Sequence, residues 1–409
     1  MTFLFYLLLS VSLLLIFFLI FPFITVLLSL LAKERLKVKN NEELDYGCII
    51  TGYQNVEIAL PLIDSFLKQD YKKYHIYLVA DNCDLSNITF PLSEKLTILS
   101  PPAKLGSKVK SFIYGISNFK RKHDAVLILD PDNLGHPSFL KEINHYFQAG
   151  FLAVQGKRTA KNLDSVYACI DATGELYFNY TQKEVPYLLG SSANIAGSGM
   201  AVEYNLFNDY LNNPRIKDNL DKVIVAEDKI LQNHLVGKGY RIAFAKKAVL
   251  YDEKVEKAEQ VVRQRSRWLN SYFENVRFAG LLILQGLSKL DVNRFLFGLL
   301  TIFPPMFLFV LASVLFLFID IVLFPKIGLL LLGAGIIFSL NFLLVLKVGR
   351  APSEIWKNLI GIPAFVFYQI IALTKMKKAN KDFLATKHTK VVTIDHLIAE
   401  DIDKEKKSD

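Results

Sequence analysis

Residues 2–32, 295–319, 327–346 and 358–374 are predominantly apolar and carry no Asp, Glu, Lys or Arg. The first exceeds the ~20 residues a helix needs to cross the hydrocarbon core of a bilayer. A cleaved leader has an apolar region of only ~7–15 residues and a small-residue cleavage site. Neither is visible, so residues 1–32 are expected to remain as a transmembrane anchor. Lys33, Arg35, Lys37 and Lys39 follow at once, which assigns the cytoplasmic side to what comes next. The last third predicts two transmembrane helices over 295–347, Phe295–Ile319 and Gly328–Leu346, the first kinked at Pro304 and Pro305. Residues 352–375 pose a conflict. A crossing there would leave the C-terminus outside, whereas Lys375, Lys377, Lys378 and Lys381 argue for inside. Short length, Pro363 and Gln369 favour an interfacial or re-entrant helix over a third C-terminal span. A cytosolic tail over 376–409 follows, ending in the charged run AEDIDKEKKSD.

Between these apolar ends the pattern changes. YGCIIT and HIYLVAD read as buried strands on either side of the amphipathic EIALPLIDSFLKQ, and KLTILS and AVLILD add two more strands. Strand and helix alternate, with acidic residues at strand ends, as in an open α/β sheet, where ligands bind beyond the carboxyl ends of the strands. No G-x-G-x-x-G follows the first strand, so the dinucleotide fingerprint is absent. The expected organisation is an α/β catalytic domain over 45–255 and amphipathic interface helices over 256–294, between the anchor and the C-terminal membrane helices.

Composition narrows the class. Of 409 residues, 52% are hydrophobic, and the mean hydropathy is +0.29. That excludes disorder and a wholly soluble protein, and the long polar middle excludes a many-span transporter. The net charge of +9 fits positive-inside bias and attraction to anionic lipid. No basic run interleaved with aromatics suggests nucleic acid. The three cysteines, Cys48, Cys83 and Cys169, show no metal spacing and fit reduced thiols in a cytosolic domain.

Acidic residues fall where phosphate and metal chemistry needs them. Asp81 ends HIYLVAD, and Asp130 and Asp132 end AVLILDPD. Two carboxylates one residue apart offer hard oxygen ligands to Mg²⁺ or Mn²⁺ with positions left for a diphosphate. Taken alone, Asp-Pro-Asp-Asn is also good turn chemistry. Glu227 and Asp228 in VAEDK precede a helical segment. The bland account is a helix N-terminus that favours acids; the chemical one makes Asp228 a general base oriented by Glu227. In QRSRW, Gln264, Arg267 and Trp268 share one helical face at i, i+3 and i+4. That face combines an amide for a hydroxyl, a guanidinium for a diphosphate and an indole for a sugar ring. A basic amphipathic helix carrying Arg263, Arg265 and Arg267 at the membrane surface is the alternative. His75, His123, His145 and His234 are scattered without an i, i+4 metal pair, and read as structural, as do Tyr177, Phe178 and Tyr180. His136 lies close enough after Asp132 to approach the site.

In order, Asp81, Asp130-x-Asp132, Glu227-Asp228 and Gln264-x-x-Arg267-Trp268 resemble the D, DxD, (T/S)ED, Q(Q/R)xRW signature of the membrane-embedded family 2 glycosyltransferases. These include the cellulose, hyaluronan and poly-N-acetylglucosamine synthases. The likeness runs from about Tyr46 to Trp268, with further echoes in VQGKR (154–158), GSGMAV (197–202) and FLATKHT (383–389). The resemblance implies a glycosyltransferase-A, Rossmann-like cytosolic domain flanked by transmembrane helices, in a plasma or inner membrane, serving cell-envelope polysaccharide assembly. By the same resemblance Asp81 contacts the uridine or metal site, and Asp130 and Asp132 hold Mg²⁺ or Mn²⁺ on the donor diphosphate. Asp228, oriented by Glu227, deprotonates the acceptor. Lys108, Arg265 and Arg267 offset diphosphate charge, while Gln264 and Trp268 bind the acceptor. The implied reaction is inverting, giving a β-linked product from a UDP-sugar. The chain departs from the pattern at TGYQNVE after the first strand, at Ala226 in place of Thr or Ser, and in the loose FLATKHT.

Few spans are available to enclose a polymer, whose hydroxyls need a protein-lined path. A homo-oligomer or partner subunit completes a channel for a growing glycan, or the enzyme makes a single transfer to a lipid-linked acceptor, as the similar glucosylceramide synthases do. A catalytically silent membrane subunit is the reading from another class, and the intact acidic positions and QRSRW argue against it.

Overall fold

The computed structural model describes residues 2–34, 36–221, 224, 226–376 and 392–399. Arg35, Lys377, Lys378, Lys381 and the FLATKHT segment lie outside the described residues. After helix α1 (Thr2–Leu30) comes a mixed sheet of eight strands. These are β1 (Tyr46–Tyr53), β2 (Tyr74–Asp81), β3 (Leu96–Leu99), β4 (Ala125–Leu129), β5 (Leu134–Gly135), β6 (Ala153–Ala160), β7 (Met200–Glu203) and β8 (Ile242–Asp252). Their order is β3-β2-β1-β4-β7-β6-β8-β5. Strands β3, β2, β1 and β4 run parallel, β7 is antiparallel to β4 and β6, and β6 pairs parallel with β8.

Every residue of β2 and β4 is buried, which is why these strands read as unbroken apolar runs: helices cover both faces of the sheet. The covering helices are α2 (Leu60–Leu67), α3 (Lys108–Ser117), α4 (Phe139–Gln148), α5 (Val166–Phe178), α6 (Val185–Leu188), α7 (Tyr204–Leu211), α8 (Pro214–Lys217) and α9 (Glu227–Gly237). Phe66, Phe112, Phe139 and Phe207 are fully buried between them and the sheet. Chain order reverses between β1 and β4. Such a switch point opens a crevice at the carboxyl ends of the strands, where Asp81 and Asp130 emerge. The α/β sheet expected from the sequence is present, flanked by apolar helices.

Helix α10 (Ala258–Ser288) carries QRSRW and turns back into α11 (Val292–Thr301). The two pack closely because Gly286 and Gly298 lack side chains: a Cβ at Gly286 would lie 2.4 Å from the Phe295 nitrogen, and one at Gly298 2.7 Å from the Ala279 carbonyl. The apolar stretch expected as one kinked span, Phe295–Ile319, is two helices. Residues Ile302–Pro305 leave the helix, and α12 (Met306–Leu323) starts after them. Two successive prolines remove two donors and push the preceding residue out of helical geometry, so the helix breaks instead of kinking. Helix α13 (Pro325–Val348) returns, and α14 (Ser353–Asn358) leads through a 3-10 turn into α15 (Ile362–Lys375).

Among the described residues, four helical segments are long and apolar enough to cross a membrane: Phe3–Leu30, Met306–Leu323, Pro325–Val348 and Ser353–Lys375. The first three form a bundle with a packed interior that includes Leu15, Phe18, Leu19, Phe309, Leu331 and Phe338. Ser12 donates to the buried Asp320 carboxylate at 3.0 Å and ties α1 to α12. The fourth packs chiefly along α10 through Leu269 and Ala372. In the C-terminal tail, Ile394 and Leu397 pack on Leu134 and Tyr251, and Asp395 meets Lys68 at 2.7 Å.

Candidate active site

The DPDN turn after β4 serves structure and chemistry together. Asn133 accepts the Asp130 backbone N–H at 3.1 Å and donates to Asp252 at 3.0 Å, which closes the turn. Asp130 and Asp132 line the large cavity beyond the sheet. Asp81, 2% exposed, accepts the backbone N–H groups of Leu105 and Gly106 at 2.7 and 2.8 Å. Both its oxygens thereby hold the loop that enters α3, and the sequence offered no sign of that duty.

The loop delivers Lys108 as the first residue of α3. Its Nζ lies 2.7 Å from Asp130, 3.3 Å from Glu227 and 3.0 Å from the Gly197 carbonyl. Burial works against the charged ammonium, but the two carboxylates outweigh it and hold its pKa well above the ordinary lysine range. Glu227 and Asp228 form the first turn of α9, whose partial positive charge favours them. Burial, opposed by Lys108 and aided by Asp228, raises the Glu227 carboxyl. Ala226 caps this helix in the left-handed region, at φ 66°, with no side-chain hydrogen bond, a conformation that costs a non-glycine residue ~1–2 kcal/mol. Asp228 accepts the Lys229 backbone N–H at 2.7 Å and keeps its side chain on the cavity wall.

Gln264, Arg265, Arg267 and Trp268 of QRSRW all line the same cavity, with different partners. Arg267 is in electrostatic reach of Glu227 and Asp130, and Gln264 lines the same cavity with a buried, unpaired Oε1. Arg265 pairs with Asp171 and stacks on the Trp268 ring at 4.1 Å. Residues two apart lie ~200° apart around a helix, so Arg265 and Arg267 cannot both face the carboxylates of β4 and α9. The two arginines expected at the diphosphate thus line one cavity with different acidic partners, Asp171 for Arg265 and Glu227 and Asp130 for Arg267.

A buried ionic network was not foreseen. Arg158 makes a two-point contact with Glu175 at 3.1 and 3.0 Å. Lys254 joins Glu175 to Asp252, which it meets at 2.8 Å, and Lys183 reaches Glu175 at 3.6 Å. A π-helical turn, Asn179–Glu184, carries Lys183 inward, and burial pulls its pKa down to about 8. Among the sequence signals, only the end of VQGKR touched this network. The histidines are engaged in local contacts: His123 with Asp45, His234 with Asp209, His136 with Ser138.

The cavity holds about 1080 Å³. Among the described residues no group of three or more His, Cys, Asp or Glu side chains is arranged to hold a metal ion. The Asp130–Asp132 pair still suits Mg²⁺ or Mn²⁺, because such ions are commonly held by one or two carboxylates plus substrate phosphates, not by an all-protein cage.

A model of the family described as "Glycosyltransferase like family 2" matches residues 45–271. No curated protein sequence gives a significant match. Among solved structures, the mannosyltransferase PcManGT from Pyrobaculum calidifontis, in complex with GDP-Man and Mn²⁺, is similar with a TM-score of 0.53 at 14% identity. That likeness covers 90% of this chain and 99% of the other. S. aureus TarS, residues 1 to 349, in complex with UDP, aligns with a TM-score of 0.36 at 13% identity over 62% of this chain and 89% of that one. The first likeness is one of fold, and the family match spans more than half of the chain, including every motif from Asp81 to Trp268. The protein belongs to glycosyltransferase family 2.

Proposed function

We propose that the protein transfers a glycosyl group from a nucleoside diphosphate sugar to an acceptor hydroxyl, with inversion, at the cytosolic face of a plasma or inner membrane. The observation that carries this reading is the convergence of Asp130, Lys108, Glu227, Asp228 and Arg267 on one cavity. Asp130 and Asp132 would hold Mg²⁺ or Mn²⁺, which when bound supplies positive charge to the donor diphosphate. Lys108 and Arg267 add fixed cationic charge beside the leaving group, where low dielectric makes it effective. Asp228 takes the proton of the acceptor hydroxyl as its oxygen bonds to the anomeric carbon. The bond from that carbon to the diphosphate oxygen breaks on the opposite face, and the electron pair leaves with the nucleoside diphosphate. An α-linked donor thus gives a β-linked product.

Uridine is the base implied by the family resemblance, and the GDP-Man bound to the fold neighbour makes guanosine the second donor class to test. The protein in nanodiscs, incubated with a panel of UDP- and GDP-sugars, is expected to release nucleoside diphosphate from one donor with Mn²⁺ or Mg²⁺ and to stop on addition of EDTA. Release unaffected by EDTA would refute the carboxylate-held cation; no release from any donor in the presence of native membrane extract would refute the transfer.

A further inference from the structure

Strand β5 has two residues, stands last in the sheet and pairs on one side only, with β8. A strand so short gains little from pairing alone, and an edge of this kind is held by what covers it. Gly135 is held by α2: its N–H donates to the Ser65 hydroxyl at 3.0 Å, and a Cβ there would lie 2.5 Å from the Phe66 ring. Leu134 is covered by the C-terminal segment. Residues 394–399 form a short helix. Ile394 and Leu397, three apart and so on one helical face, are 1% and 6% exposed against Leu134 and Tyr251. Leu134 and Tyr251 stand opposite each other in the β5–β8 pair. Asp395 of the same segment meets Lys68 of α2 at 2.7 Å.

The residues beside this apolar contact fasten the carboxylate turn. Asn133, just before Leu134, accepts the Asp130 backbone N–H at 3.1 Å and donates to Asp252 at 3.0 Å. In β8 successive side chains point to opposite faces, so Tyr251 turns to the C-terminal segment and Asp252 to the turn. Glu253 follows and meets Lys161 at 3.2 Å, and Lys161 donates to the Asp132 carbonyl at 3.0 Å. The backbone at Asp130 and at Asp132 is thus tied to the end of β8, and the C-terminal segment packs on the residues adjoining both ties.

We propose that the C-terminal segment 392–399 braces the turn that carries Asp130 and Asp132, with Ile394 and Leu397 as positioning residues. Seated, the segment holds β5 against β8 and fixes the spacing of the two carboxylates. Lifted, it leaves a two-residue edge strand to hold them, and the geometry a divalent cation requires is lost. The inference rests on the carboxylate-held cation of the transfer reading and deepens it: cation affinity depends on a part of the chain that follows the last membrane helix.

The test uses the full chain in nanodiscs, titrated with Mn²⁺ in the presence of UDP and then of GDP, with free Mn²⁺ read by its electron paramagnetic resonance signal. The double variant Ile394→Ala, Leu397→Ala should bind Mn²⁺ about tenfold more weakly, the lower end of what loss of a support beyond the metal's own ligands costs. Leu397→Met, which keeps the volume, should bind as the native chain does. Leu96→Ala, in β3 at the opposite edge of the sheet, should also leave the affinity unchanged. Hydrogen exchange on the same samples should show faster exchange of the 130–135 amides in the double variant, with β1 and β2 as protected as in the native chain. On a donor that supports release, the kcat of the double variant should return to the native value at saturating Mn²⁺. Native Mn²⁺ affinity in the double variant, or an equal loss in Leu96→Ala, would overturn the brace alone. No Mn²⁺ binding by the native chain with either nucleotide would overturn the carboxylate-held cation, and the brace with it.

Discussion

Lys108→Met keeps most of the side-chain length and removes the charge that joins Asp130 to Glu227. The three side chains are 19%, 28% and 14% exposed. Breaking a fully buried ion pair by removing one partner costs ~3–5 kcal/mol; partial solvent access reduces the expected loss here to about 1–3 kcal/mol. Thermal unfolding followed by intrinsic fluorescence reads this directly, at roughly 2–4 °C per kcal/mol for a domain of this size. A second arm of the same assay adds Mn²⁺. With the ammonium gone, the carboxylates repel one another and bind the cation in its place, so Mn²⁺ should raise the midpoint of the variant more than that of the native protein. At about 100 times its Kd a bound ion contributes ~2.7 kcal/mol, enough to recover most of the loss. A variant as stable as the native protein, with no Mn²⁺ response in either, would refute both the energetic weight of the Lys108 contacts and the carboxylate pair as a cation site.

Further predictions follow from the same geometry. Arg267→Ala should lower kcat with little loss of stability, whereas Arg265→Ala strands the buried Asp171 carboxylate and should lower stability by about 3–5 kcal/mol; comparison of turnover and thermal midpoint separates them. Lys183→Met should be more stable than the native protein below pH 8. Folding pulls the lysine from 10.5 to about 8, a penalty of ~3 kcal/mol on the charged form. That advantage should shrink as pH rises from 8 towards 10.5, where native Lys183 loses its proton in the unfolded chain as well. Gly197→Ala puts a methyl 3.8 Å from the Asp228 Oδ2 and 4.0 Å from the Lys108 Nζ, at φ +80°. It should raise the donor KM at a stability cost of ~1–2 kcal/mol, measured by initial rates and thermal unfolding.

The parts of the fold written locally were legible in the sequence. The buried runs of β2 and β4 ended in acids, and that placed Asp81, Asp130 and Asp132 at the sheet's carboxyl edge. Helical spacing grouped Gln264 with Arg267. Pro304 and Pro305 marked the irregularity, and two prolines in succession turn the expected kink into a break. The Arg158–Glu175–Lys254 network was hidden because β6, α5 and the segment after β8 each supply one charge from distant parts of the chain, and no short pattern links them.

The central claim is that Asp228 takes the acceptor proton in a glycosyl transfer at this cavity. Turnover of Asp228→Asn, compared with the native protein on the donor that supports release, tests it most directly, with nucleotide binding measured on the same samples. The account predicts a loss of ~10²–10⁴-fold in kcat with nucleotide affinity unchanged. Near-native turnover in Asp228→Asn would contradict it.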